Sequence, residues 1–258
     1  KSDKRLRLCG LEYLTGLEGK TYDELERRYQ RRIKETRVTV YLLEKGTPSE
    51  VKYNIFKRIN KGSVPLSNQE LRHALNPGKG TKFLAKLAAS QEFQQVVQLS
   101  ESRKKRMDDQ EFILGFLAFR LTSYQDYQEG NRDSFLNDAL FKANKLNEEE
   151  LIAIEGVFYK AMIAALEIFG DQAFRKIYKT NKRKKPLNKS LFEAWSVNLS
   201  YLSDVQIEVL NNNKQKLINL LINYMNTDQE FLASISQAAN KVKYRFITIE
   251  KIIKEVLS

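Results

Sequence analysis

The sequence predicts an α+β protein that is mostly α, and three observations carry that reading. Arg37-Val38-Thr39-Val40-Tyr41-Leu42-Leu43 is the one stretch with clear strand character, β-branched and aromatic throughout. From residue 80 onward the apolar positions recur at helical spacing, and the punctuation is that of helix caps. No period of roughly 20–50 residues recurs, which argues against a helical-repeat solenoid.

Taken in order, Lys4 to Leu8 alternates with Leu6 and Leu8 inward and reads as a short strand. Thr21 followed by Glu24 is a capping box that opens a basic helix to about Ile33. The strand at 37–43 carries apolar residues on both faces, so it is expected to be buried. Thr47-Pro48-Ser49-Glu50 starts a second helix: a capping threonine, a first-turn proline and a glutamate three residues on. Val51, Ile55 and Ile59, with Phe56 beside them, form its expected apolar stripe, and Asn60-Lys61-Gly62 ends it. Ser67 and Glu70 cap a short helix that stops at Asn76-Pro77-Gly78. Beyond lie helices over 108–122, 147–169, 189–202 and 203–225, another starting at Thr227/Glu230, and a last one over 248–257. The segment 147–169 presents Leu151, Ile154, Val157, Phe158, Ala161, Ala165, Leu166 and Phe169, a stripe broad enough for a central bundle helix. Trp195, Tyr201 and the phenylalanines at 112–119 fall at helical spacing and read as core. The boundary is expected near Pro77-Gly78-Lys79-Gly80, giving a small α+β domain at 1–79 and a helical domain at 80–258.

A chain of 258 residues with 42% hydrophobic and 29% charged content is globular in composition and long enough for a sizeable core. No apolar run approaches the ~18 residues needed to span a bilayer, so no membrane partner is expected. The single Cys9 excludes an intrachain disulfide and fits a reducing compartment, which makes a cytoplasmic location the expectation. With 44 Lys+Arg against 32 Asp+Glu the formal net charge is +12, an excess that favours phosphate-bearing partners.

Charge and polar spacing leave several sites open. Lys57, Arg58 and Asn60 lie at a helix end, Gly62 at a turn, and Glu70 and Arg72 on the next helix. They read either as a polar cluster around a phosphate or as separate local devices: a cation at a helix C-terminus, a turn glycine and a capping glutamate. His73, the one histidine, cannot build an HNH-type centre, and one Cys with one His cannot build a structural zinc site, so no metal site is expected. Glu50-Val51-Lys52 has the local spelling of a PD-(D/E)xK nuclease, but it falls in a first helical turn. No Ser/His/Asp set and no Walker-type loop is seen. Three basic runs remain: Arg27-Arg28 with Arg31-Arg32; Arg103 to Arg106; and Arg175-Lys176, Lys179 and Lys182-Arg183-Lys184-Lys185, flanked by Phe174, Tyr178 and Pro186. Each is either a phosphate-neutralising surface or a solvated charge block.

Residues 55–75, read as a unit, resemble the signature "iFeRiN-x-G-x-x-pL-x-x-qElR" of the domain that forms the N-terminal half of GmrSD-type restriction endonucleases. Arg58, Asn60, Gly62, Leu66, Glu70 and Arg72 stand at the family spacing. Leu6-Arg7-Leu8 and Leu14 to Tyr22 resemble an upstream family segment, and 108–119, 135–137, 169–174 and 186–195 follow in the family's order. The resemblance implies a ParB/sulfiredoxin-like fold, present in part, followed by a helical domain. It also implies a bacterial defence role that couples nucleotide binding or hydrolysis to recognition or cleavage of foreign DNA. The family's Asp-Gly-Gln-Gln-Arg-type catalytic motif occurs nowhere in these residues and is expected upstream of Lys1. The catalytic residues are therefore unassigned, and the chain alone is expected to be inactive.

The resemblance further implies that Arg58 and Asn60 border a nucleotide pocket, near the Gly62 turn, with Glu70 and Arg72 behind them. No cofactor is expected within the chain; an NTP and a divalent metal belong to the longer parent. DNA is the expected partner, bound through Arg27, Arg28, Arg31, Arg32, Arg175, Lys179, Lys182, Arg183, Lys184 and Lys185. A nuclease domain or subunit and self-association remain open. The rival reading is a non-enzymatic nucleic-acid-binding or protein-interaction module.

Overall fold

Among the described residues every regular element is helical, so the α part of the expected class stands and no sheet accompanies it. The computed structural model describes residues 5–40, 42, 44, 46–59, 65–178, 184–236 and 240–258. The chain divides into two compact units, Lys1–Thr47 and Pro48–Ser258. The boundary expected after residue 79 falls inside the second unit.

The first unit is short and held by local polar contacts. Arg7 and Thr21 form an isolated antiparallel bridge, with Leu8 N–H donating to Lys20 O at 2.9 Å and Gly19 N–H to Leu8 O at 2.8 Å. Gly19 sits at φ +76°, where an L side chain is strained, which lets the chain reverse there. The Glu18 carboxylate accepts from Gly10 N–H at 2.7 Å and Leu11 N–H at 3.0 Å. Glu24 accepts from Thr21 N–H at 2.7 Å, as the capping box predicts, but the box opens a single 3₁₀ turn, Tyr22–Glu24. The basic helix proper, α1 (Arg27–Glu35), starts three residues later.

Neither expected strand forms among the described residues. The described part of the expected strand at Lys4–Leu8, residues 5–8, reduces to the one bridge, and Leu6 is 85% exposed (Lys4 lies outside the described residues). Val38, Val40 and Leu42 are exposed as well, with no strand at the described positions of 37–43 (Tyr41 and Leu43 lie outside the described residues). The physical reason is that β-branched side chains favour an extended backbone, whereas a strand also requires a neighbour to receive its N–H and C=O groups.

The second unit begins with α2 (Ser49–Ile59), α3 (Asn68–Leu75), α4 (Lys79–Ala88), α5 (Gln91–Val96) and α6 (Glu101–Lys105). The expected stripe of α2 is wrong: Val51, Phe56 and Ile59 are exposed, and Tyr53 is the buried anchor. Its burial pushes the phenol up to about 12. On α3 the Ser67/Glu70 capping box is present as read, with Glu70 N–H donating to Ser67 Oγ at 3.1 Å. The glycines expected to mark a domain boundary instead bring the start of α4 onto Asn144, whose Oδ1 accepts from Gly80 N–H at 2.8 Å.

The core is built around α7 (Asp108–Leu121), α9 (Glu148–Phe169) and α10 (Lys189–Ser200). On α7 every residue from Phe112 to Phe119 is buried, and on α10 every residue from Ser190 to Ser200 is. Both are therefore wrapped on all sides. The long helix α9, capped by Asn147 and ended by Gly170 at φ +53°, packs on α10, α5 and α11 (Asp204–Asn212). Helix α8 (Arg132–Ala143) lies on α7 and α4. The C-terminal set α12 (Lys214–Thr227), α13 (Gln229–Ser234) and α14 (Val242–Leu257) closes the other side through α10 and α11.

The single helix expected over 203–225 is two, broken at Asn213, and the last helix starts six residues earlier than expected. Trp195 is core as read, but Tyr201 is 60% exposed, its ring covered by the Arg120 guanidinium at 4.3 Å. No described helix is long and apolar enough to cross a membrane.

Candidate nucleic-acid interface

The signature residues are tied into the helical unit. Glu70 closes the α3 cap and pairs with Arg106 at 3.2 Å. Arg72, only 1% exposed, donates from Nη2 to Asp133 Oδ1 at 2.7 Å and from Nη1 to Gln69 Oε1 at 3.2 Å. Asn68 Nδ2 donates to the same carboxylate, at 3.2 Å to each oxygen. Glu70 thus ties α3 to the end of α6, and Arg72 with Asn68 ties it to α8. Arg58 is exposed at the end of α2, while Asn60 and Gly62 lie outside the described residues. His73 is half-buried on α3, its Nδ1 without a hydrogen-bond partner among the described residues. Among the described residues no group of three or more His, Cys, Asp or Glu side chains is placed to hold a metal ion.

In the first unit, all four arginines of α1 are exposed. Arg28 is drawn to Glu26 at 2.9 Å and lies over the Tyr29 ring, and Arg31 reaches Glu35 at 3.8 Å. Among the described residues Arg27 and Arg32 have no acidic partner, so two of the four charges are uncommitted there.

In the second unit, two basic runs about seventy residues apart in sequence come together. Phe174, at φ +58° with its ring buried 4.7 Å from that of Phe192, turns the chain into the third run. The run returns through an antiparallel bridge between Arg175 and Leu187, with Asn188 N–H donating to Phe174 O at 2.9 Å. Arg175 itself is buried and donates to the Lys185 carbonyl, so it clamps the base of the loop and does not face solvent. Burial pushes it below the usual arginine range; Asp171 opposes that, and the neighbouring Arg103 charge adds to it. Lys184 reaches Gln98, in the segment that leads into the other run, donating to its Oε1 at 2.9 Å, with Asp171 at 3.4 Å. Lys179, Lys182 and Arg183 lie outside the described residues.

Arg103 and Lys189 share the Asp108 carboxylate and both lie over the Phe112 ring, at 5.9 and 5.5 Å. Lys105 is exposed and, among the described residues, without an ion pair. Arg103 and Lys189 thus meet at Asp108, Arg175 lies near enough to Arg103 to feel its charge, and the acids there are committed: Glu101 to Lys104, Asp108 to Arg103 and Lys189, and Glu111 to Lys189. Sequence reasoning missed Lys189 and Gln98. A lysine in a first helical turn opposes the helix dipole and calls for a compensating acid nearby; that these acids are Asp108 and Glu111 is decided by the fold. Gln98 carried no signal, because its role exists only once Lys184 folds back onto it. A search of protein-family models, of curated proteins and of solved structures returns no match to this chain.

Proposed function

We propose that this chain is the DNA-engaging part of a bacterial defence protein of the GmrSD type, gripping the phosphate backbone through the composite basic surface of the helical unit. The observation that carries this reading is the Lys184–Gln98 hydrogen bond, which brings the third basic run beside the segment that leads into Arg103 to Arg106. Two solvated charge blocks that repel one another have no reason to be folded together, whereas a polyanion draws favourable energy from both at once. The GmrSD assignment rests on the 55–75 signature, and the coupling of nucleotide turnover to DNA recognition rests on that resemblance too. Within it, Arg58 is the described signature residue free to meet a ligand.

The test is a charge reversal combined with a salt titration. Lys105→Glu, Lys184→Glu and Lys185→Glu together should weaken DNA binding for all sequences alike. They should also flatten the plot of log affinity against log salt by about 0.9 for each phosphate that is no longer neutralised. Sequence preference should persist, because phosphate contacts position without specifying. An unchanged affinity and salt slope would leave the runs as solvated surface and the proposal without support.

A further inference from the structure

Beside the Arg175–Leu187 bridge lies an open cleft of about 330 Å³ lined by Lys176, Tyr178, Lys185, Pro186, Leu187 and Asn188. Tyr178 is half-buried at a bridge position beside this loop. Its neighbours Ile177 and Leu187 pack against the hydrophobic core, but Tyr178 does not. Among the described residues its ring meets no other aromatic ring and its hydroxyl makes no hydrogen bond. The ring instead faces the Lys185 ammonium at 5.8 Å, near the outer limit of a cation–π pair.

The groups around it are held in place. Lys176 Nζ donates to Ser236 Oγ at 2.9 Å, and Asn188 bridges Ile235 O at 2.6 Å and Leu191 N–H at 2.9 Å. Burial holds the Lys176 ammonium below the ordinary lysine range. The cleft thus has firm walls, a tyrosine ring whose one partner among the described residues is the Lys185 ammonium, and two lysines in its lining.

We infer that Tyr178 is a stacking platform for an unpaired base, and that the basic surface takes single-stranded DNA in preference to duplex. This rests on the DNA-binding reading proposed above and names its substrate class. In a duplex the π-faces of the bases are covered by their neighbours, so a surface tyrosine has nothing to stack on. In a single strand each base can rotate out onto a ring while its flanking phosphates meet lysines. A base arriving on Tyr178 displaces the distant Lys185 ammonium, and Lys185 moves to the adjacent phosphate.

The experiment is anisotropy titration of the full chain with fluorescein-labelled oligothymidylate of about 12 nucleotides, within the usual site size of such grooves, and with a duplex of equal length. Wild type should prefer the single strand. Tyr178→Ala should weaken single-strand binding by roughly 5- to 150-fold, the range seen when stacking aromatics are removed, and leave duplex binding unchanged. Its salt slope should match wild type, because removing a stacked ring releases no counterions. Tyr178→Phe should retain single-strand affinity. Tyr178→Trp should retain it too and show fluorescence quenching on binding, a readout that serves if the alanine variant folds poorly; the native Trp195 is buried in the core. Equal binding of both DNA forms by wild type and Tyr178→Ala, with no quenching in Tyr178→Trp, would overturn this inference and leave the basic surface standing. Failure of wild type to bind either form would overturn both.

Discussion

Glu193 shows how a single residue can govern the interior. It is 1% exposed on α10, and its carboxylate pairs with Arg132 of α8 and with Arg245 of α14, the latter at 3.1 Å. Arg245 also donates to the carbonyls of Ser234 at 3.1 Å and Asn240 at 3.3 Å, so carbonyl dipoles receive part of the second positive charge. Burial pushes its guanidinium down, and Glu193 opposes that shift. Opposite the carboxylate stands Gly115 of α7, where an added Cβ would lie 2.6 Å from Glu193 Oε1. Removing one partner of a buried pair strands the others, so Glu193→Ala should cost about 3–5 kcal/mol in denaturant unfolding. Glu193→Gln, which keeps the volume, should recover little of it. A destabilisation below about 1 kcal/mol for both variants would mean that the arginines find other acceptors. None of this was legible in the sequence, where Glu193 stands between Phe192 and Ala194 on a helix like any solvent-facing acid. Tyr201 failed in the opposite sense: its spacing fits the core, but Arg120 supplies a surface partner and the ring stays out.

At the scale of elements, the caps were the readable part. Ser67 and Ser203 close boxes with Glu70 and Gln206 as their spacing requires, and a cap is legible because donor and acceptor lie within one turn of sequence. Connections between elements were not readable for the same reason reversed. Gly78 and Gly80 read as a domain boundary, yet an added Cβ at either would press on Asn144, 64 or more residues away. That amide caps the start of α4 from the end of α8. Asn144→Ala should therefore leave the part-buried Gly80 N–H unsatisfied and cost about 1–3 kcal/mol. Amide exchange should accelerate first in the opening turn of α4. Unchanged protection there would show that water replaces the Asn144 amide at no cost.

For the molecule as a whole, the division into two units predicts which fragments fold. Residues 48–79 belong with the helical unit, because Ser67 Oγ donates to Arg106 O at 3.0 Å and Arg72 is buried against Asp133. A fragment spanning 48–258 should unfold cooperatively with a helical signal in proportion to its length. A fragment cut at 80, where the sequence placed the boundary, loses the Arg72 and Asn68 partners of Asp133 and exposes the face of α7 that packs on α3. It should melt at a clearly lower temperature. Equal melting temperatures for the two fragments would favour the boundary at 79/80 over one at 47/48.

The sequence by itself determined that the chain is mostly helical, where most of the capped helices begin, that α7, α9 and α10 carry the apolar mass, and that positive charge is gathered in three runs. These are local or periodic properties, written within a few turns of chain. The tertiary structure alone decided that Glu70 and Arg72 serve α3 packing, that Arg175 is an inward clamp near Arg103, and that Lys184 reaches the segment leading into Arg103 to Arg106. Those outcomes depend on pairs such as Lys184 with Gln98 and Arg72 with Asp133, 86 and 61 residues apart. The 37–43 segment makes the same point from the other side. Its residues are suited to a strand, but strand formation is decided by whether another backbone lies alongside to complete its hydrogen bonds.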